Sequence, residues 1–154
     1  MPDAWLTEDV VRRCGWLATS FRRWTGRDLI ADPPQGAALA EALYHAPAVV
    51  VSHGTQPDPV FWFANRTAQR LWELDWDAFT RMPSRQSVAA DEHASREDLL
   101  RRALTRGFIE DYQGVRISAS GRRFRIANVV LWNIRDDHDR PQGQAATFAD
   151  WSFL

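Results

Sequence analysis

Asp111, Gln113 and Asn128 are polar residues set among strand-forming ones, and a polar group on the apolar face of a strand needs a partner. They fall between Gly107 and Trp132, GFIEDYQGVRISASGRRFRIANVVLW, where two β-branched and aromatic runs flank Ser118-Ala119-Ser120-Gly121. A Ser-Gly pair between such runs signals a hairpin. With Ser120-Gly121 as its turn, Ala119 faces Arg122, Ile117 faces Phe124, Val115 faces Ile126, Gln113 faces Asn128, Asp111 faces Val130 and Ile109 faces Trp132. Side chains alternate along a strand, so these residues share one face. Near the turn that face is apolar; farther along it carries the polar trio among Ile109, Val130 and Trp132. An unpaired buried polar group costs roughly 1–3 kcal/mol, so either an internal hydrogen-bond network or a ligand satisfies the trio.

The other residues with chemical potential are scattered. His53 lies near Asp58 in a loop, and with Asp111 they form the candidate acid–base set; the plainer reading has His53 capping the loop and Asp58 starting a turn before Pro59. His45, His53, His93 and His138 fall on separate elements, which is no metal-ligand spacing. There is no phosphate-cradling glycine loop. Cys14 is the single cysteine, so neither an internal disulfide nor a Cys-rich zinc site is available. On the hairpin's other face the same pairing places Arg116 opposite Arg125, with Arg123 nearby. They read as a solvated surface paired with acids, or as a site for an acidic partner or phosphate. Farther along, that face carries Phe108, Tyr112, Val129 and Leu131, an apolar half that needs a cover.

The elements that must position these groups follow from pattern. Thr7 is a plausible N-cap, with Glu8 and Asp9 where the helix dipole favours acids. Val10, Cys14, Leu17, Phe21 and Trp24 then form one apolar stripe, and Gly26 stops the helix. A stripe this short must pack on the sheet or on a second subunit. Ala37 to His45 is a short helix and Ala48 to Val51 the first strand; Val60 to Phe63 is the second. Helical patterns follow over Arg66–Leu74, Trp76–Thr80 and Arg96–Arg106, the last with Ser95 as cap. After the hairpin, Gln144 to Trp151 is the fifth strand. The expected class is α+β, an antiparallel sheet with helices on one face.

Composition narrows the class. The chain has 154 residues, a net charge of −1 and 45% hydrophobic residues, enough for a core and without a global pull toward nucleic acid or anionic lipid. No apolar run approaches the roughly 20 residues of a membrane span, and MPDAWLTEDVV lacks the pattern of a secretory signal. A cytoplasmic protein is expected. All 19 basic residues are arginine, which points to a genome rich in G and C more than to a function. Eight tryptophans provide core filler and possible stacking surfaces.

Two strands, a block of helices and three strands is also the order of a PAS domain. The segments SHGTQPDPVFWFANRTAQRLWEL (Ser52–Leu74), MPSRQS (Met82–Ser87), GFIEDYQGVRISASGRRFRI (Gly107–Ile126) and GQAATFADW (Gly143–Trp151) resemble bacterial MEKHLA-domain proteins. That family is PAS-like, and its domain also ends plant class III homeodomain-leucine zipper proteins. The resemblance spans about residues 36–152. It implies a five-stranded PAS-like sheet over 47–154 behind an N-terminal helical extension, 1–46, in a stand-alone protein with no output segment.

The resemblance implies a sensory or interaction role. A ligand pocket would lie between the inner sheet face and the helices Arg66–Leu74 and Arg96–Arg106, lined by Trp62, Asp111, Gln113, Asn128, Val130 and Trp132. The fifth strand adds either Ala145, Thr147 and Ala149 or Gln144, Ala146 and Phe148. The expected ligand is a small organic molecule held non-covalently. Cys14 is misplaced for covalent flavin photochemistry, and His93 is the sole positional candidate for haem. Expected partners are a second copy, docked through the N-terminal helix, and a signalling protein, with no nucleic acid or membrane. The alternatives are a small-molecule enzyme in the same pocket, using Asp111 and His53, and an interaction domain with a filled core.

Overall fold

The computed structural model describes residues 3–154; Met1 and Pro2 of the N-terminal segment lie outside the described residues. Helix α1 (Glu8–Thr25) starts at Thr7, whose side chain accepts from the amide of Val10, and ends at Gly26, left-handed at φ 72°. Helix α2 (Ala37–Tyr44) leads into strands β1 (Val49–His53) and β2 (Phe61–Ala64). Helices α3 (Arg66–Trp72), α4 (Trp76–Phe79) and α5 (His93–Arg106) follow, then β3 (Phe108–Ile117), β4 (Arg123–Arg135), β5 (Pro141–Phe148) and β6 (Asp150–Phe153). Helix α5 begins at His93, ahead of Ser95, and has no side-chain cap.

The strands form one antiparallel sheet in the order β2-β1-β5-β4-β3, with β6 also paired to β4. The expected fifth strand is thus split. Its first half pairs with Val130–Arg135 and its second with Phe124–Ala127, and the break lies opposite a bulge at Asn128 (φ 54°). Asn128 holds the step by donating to Asp150 Oδ2 at 2.7 Å.

The hairpin exists, but its pairing is one residue out from the expected one on either side of two register shifts: Arg116 faces Phe124, Gly114 faces Ile126 and Ile109 faces Leu131, while Tyr112 faces Val129 between the shifts. Phe124 and Ile126 keep the inner face, and the slip turns Arg116 inward opposite Phe124. The turn is wider than Ser120-Gly121, because the amide of Ser118 donates to Arg122 O at 2.9 Å and that of Gly121 to Ser118 O at 3.0 Å. Glu73 reaches across from the end of α3 and clamps it, accepting from Ser118 Oγ at 3.0 Å and Ser120 N at 3.1 Å. Those same hydrogen bonds hold the Glu73 carboxyl below its ordinary pKa.

Both sheet faces are covered. Val10, Cys14, Leu17 and Phe21 of α1 and Leu39 and Leu43 of α2 pack with Val50, Phe63, Trp132, Ile134 and Ala145 on the outer face. Polar contacts lock α1 down: Trp132 Nε1 donates to Leu17 O at 3.2 Å, Trp24 Nε1 to Asn133 O at 2.8 Å, and Arg135 N to Ser20 Oγ at 2.9 Å. The apolar stripe therefore finds its cover within its own chain. It covers Val130, Trp132 and Ile134 together with Phe108; Tyr112, Val129 and Leu131, expected beside Phe108, face the other way. On the inner face Ala68, Leu71 and Trp72 of α3 and Phe79 of α4 meet Val49, Val51, Phe124, Ile126 and Phe148, while Leu99 and Ala103 of α5 meet Leu131.

Asn65 ties these layers together. Fully buried at the start of α3, its Oδ1 accepts from Val50 N and Ala68 N, both at 3.1 Å, and its Nδ2 donates to Leu43 O at 3.1 Å and Ala48 O at 2.7 Å. One side chain thus caps α3 and joins it to α2 and β1.

Candidate functional site

Between the inner sheet face and α3 and α5 lies a cavity of about 60 Å³. Most of its wall is apolar: Val51, Phe61, Trp72, Leu99, Ile126, Val129, Leu131 and Phe148. His53, Arg96, Arg116, Gln144 and Tyr112 supply polar groups. A space of this size matches about two waters by their share of liquid volume, or a small organic group.

None of the six residues expected from β2 and the hairpin lines it. Trp132 and Val130 belong to the outer face; Trp132 is fully buried there, its ring 4.9 Å from that of Phe21. Trp62 sits where the β1–β2 pairing shifts, half-buried against the α1 side, with the Arg13 guanidinium 5.3 Å over its ring. Asp111 (φ 59°) and Asn128 (φ 54°) occupy bulges, and they and Gln113 are exposed. The polar trio is turned to solvent and needs no partner inside. The fifth strand contributes the set Gln144, Ala146 and Phe148.

What fills the polar side of the cavity is a directed hydrogen-bond chain. Gln144 Nε2 donates to Leu100 O and to Asn133 Oδ1, both at 3.1 Å, so its Oε1 is turned to His53 Nε2 at 3.3 Å and accepts from it. That assigns the His53 proton to Nε2 and makes Nδ1 an acceptor, filled by Ser84 Oγ–H at 2.9 Å. Arg96 Nη2 donates to Ser84 Oγ, and at the far end Asn133 Nδ2 donates to Ala103 O at 2.9 Å. The chain runs from α5 through β1, β5 and β4 back to α5, each donor matched to an acceptor.

Electrostatics keep His53 neutral. Burial and then the nearby Arg96 push its pKa down to about 4. Arg96 itself is lowered to about 10, by burial and then by Arg116. The acids once grouped with His53 lie elsewhere: Asp58 pairs with Arg85 at 3.1 Å, and Asp111 is exposed. Ser84, the one hydroxyl bonded to His53, does not line the cavity. His93, the positional haem candidate, is half-buried with Nε2 at 2.9 Å from Val88 O.

Arg116 was missed because of the hairpin register, whereas Gln144 belongs to one of the two sets expected of the fifth strand. Once Arg116 faces Phe124, it points inward. Gly143 marks the other side of the site: at φ 107° it lets β5 approach so closely that a Cβ there would lie 2.0 Å from His53 O.

Residues 11–153 match the family model of the MEKHLA domain. The chain belongs to the MEKHLA domain family. The matched range begins inside α1, so the MEKHLA unit takes in most of the helical segment as well as the sheet. The homeobox-leucine zipper protein HOX32 of rice (Oryza sativa subsp. japonica) is 25% identical over 140 residues, which cover 90% of this chain and 16% of the rice protein. The indica protein of the same name matches at 25% over 140 residues as well. This chain therefore spans a small part of those relatives.

The fold is that of PAS and LOV domains. A PAS domain from Colwellia psychrerythraea superposes with a TM-score of 0.63 at 11% identity, over 75% of this chain and 92% of that one. An RNA-binding light-oxygen-voltage receptor gives 0.62 at 18% identity, over 77% and 36%. The fungal blue-light photoreceptor Vivid, in its light-state dimer, gives 0.59 at 13% identity, over 88% and 92%. These solved structures share the architecture. Among the described residues no helix is long and apolar enough to cross a membrane.

Proposed function

We propose that this MEKHLA domain is a PAS-like sensor that binds a small organic molecule non-covalently in the inner cavity and passes its occupancy to a partner protein. The observation that carries the reading is the cavity itself, an apolar chamber with a few convergent polar groups between sheet and helices. The hydrogen-bond chain supplies a route outward. It links the cavity wall to α5, β1, β4 and β5, so an occupant that displaces Gln144 or Arg96 re-aims several elements at once. The enzyme alternative has less support, since His53 is neutral, saturated by Ser84 and Gln144, and without a carboxylate.

Self-association is part of the same proposal. The apolar stripe of α1 is buried on its own sheet, so a homodimer through this helix would use the flank of the stripe, where Trp16 is half-buried at the edge of the same core beneath the Arg12 guanidinium. Phe21→Glu with Trp24→Glu would thus report on folding; Trp16→Glu is the variant that tests dimerisation. The test of binding is native mass spectrometry of the purified protein, followed by analysis of what denaturation releases. A stoichiometric organic mass that Ala146→Phe abolishes, with folding retained, supports the reading. A bound mass that persists in folded Ala146→Phe contradicts it.

A further inference from the structure

The cavity wall holds two cations that form no ion pair among the described residues, although Glu97 and Asp58 act on Arg96 from farther away. Arg96 and Arg116 are each 8% exposed, and both line the chamber. Among the described residues every ion pair uses other arginines, and neither guanidinium meets a carboxylate. Arg96 donates to Ser84 Oγ; Arg116 Nη1 donates to the carbonyl of its neighbour Val115 at 3.1 Å and lies 5.6 Å over the Tyr112 ring. Buried charges are normally paired, because removing an ion from water without compensation is costly. Two like charges around one small space increase that cost, and Arg116 indeed lowers the proton affinity of Arg96. An anion between the two would supply the counter-charge in a geometry that guanidiniums match well.

We infer that the ligand of this cavity is a short-chain organic carboxylate, its head group held between Arg96 and Arg116 and its tail against Leu99, Leu131 and Phe148. The inference rests on the small-molecule reading above and specifies its chemistry. A carboxylate fits better than a phosphate for two reasons on the structure. The wall is mainly apolar, which suits a hydrocarbon tail, and His53, Gln144 and Asn133 have already spent their hydrogen bonds on one another. The free donors are those of the guanidiniums, whose planar fork matches the two oxygens of a carboxylate. At about 60 Å³ the chamber suits an acid of two to four carbons.

Calorimetry and thermal unfolding of the full chain with sodium propionate, propionamide and sodium phosphate, at constant ionic strength set with chloride, test this. Propionate is expected to bind saturably and raise the melting temperature, while propionamide and phosphate bind at least about tenfold more weakly, the worth of a charge-assisted hydrogen bond. Arg116→Gln should weaken propionate by a similar factor. It should also melt higher than wild type without ligand, since the like-charge contact is gone; that separates loss of binding from loss of fold. Saturable propionamide binding unaffected by Arg116→Gln would overturn the carboxylate while leaving a ligand cavity standing. Tighter phosphate than propionate would also overturn it. If none of the three bound above the chloride control, the carboxylate would fall, while the small-molecule reading would stand or fall by the native mass spectrometry above.

Discussion

His53 is the residue whose surroundings matter most. Its pKa is about 4 in the folded protein against roughly 6.5 in an unfolded chain. As pH falls from about 6.5 to 4, the unfolded chain takes up a proton that the folded one refuses. Stability should therefore fall through that window, by up to about 3 kcal/mol from this one group. His53→Gln keeps hydrogen-bonding capacity without the charge, so its urea midpoint should depend less steeply on pH between those limits. Parallel profiles for wild type and variant would contradict the assignment. Gly143 is the second sensitive position. A methyl there meets His53 O and carries an unfavourable left-handed φ, so Gly143→Ala should cost about 3 kcal/mol in chemical denaturation. A loss below a few tenths would mean that β5 need not approach β1 so closely.

Among the elements, α1 has the most direct chemical reporter. Cys14 is fully buried under it, and burial pushes its thiol up to about 12. A thiol reagent at mildly alkaline pH should label Cys14 only as α1 lifts from the sheet. Phe21→Ala, which removes a ring packed on Trp132 and costs about 3–5 kcal/mol, should speed labelling strongly. Immediate stoichiometric labelling of the wild type would show that α1 is not docked. The helix was legible in the sequence because cap, acidic first turn, stripe and terminal glycine agree, and its packing on the sheet was one of two expected outcomes. The hairpin was legible as a hairpin, but its face was not. The clamp from Glu73 widens the turn and bulges at Asp111 and Asn128 absorb residues, and neither comes from local pattern. With the register went the site: Arg116 seemed to belong outside, and Trp132 inside.

For the whole molecule, the order of strands and helices was enough to expect the α+β sheet, while the family, and with it a cavity under α3 and α5, came from the resemblance of four segments. The layers depend on a single buried side chain with four hydrogen bonds, which predicts that Asn65→Leu, similar in size, loses about 3 kcal/mol or more by leaving backbone groups of α2, β1 and α3 unpaired. Thermal unfolding measures it, and a variant as stable as wild type would remove Asn65 from that role. The central claim is that a small molecule enters the inner face of the sheet. Methyl-resolved NMR during a titration with a mixture of small carboxylates, amides and alcohols tests it most directly. Val51, Leu99, Val129, Leu131 and Ala146 should shift saturably, while Val50, Val130 and Ile134 on the outer face stay in place. Shifts confined to the outer set, or none in either, would contradict it.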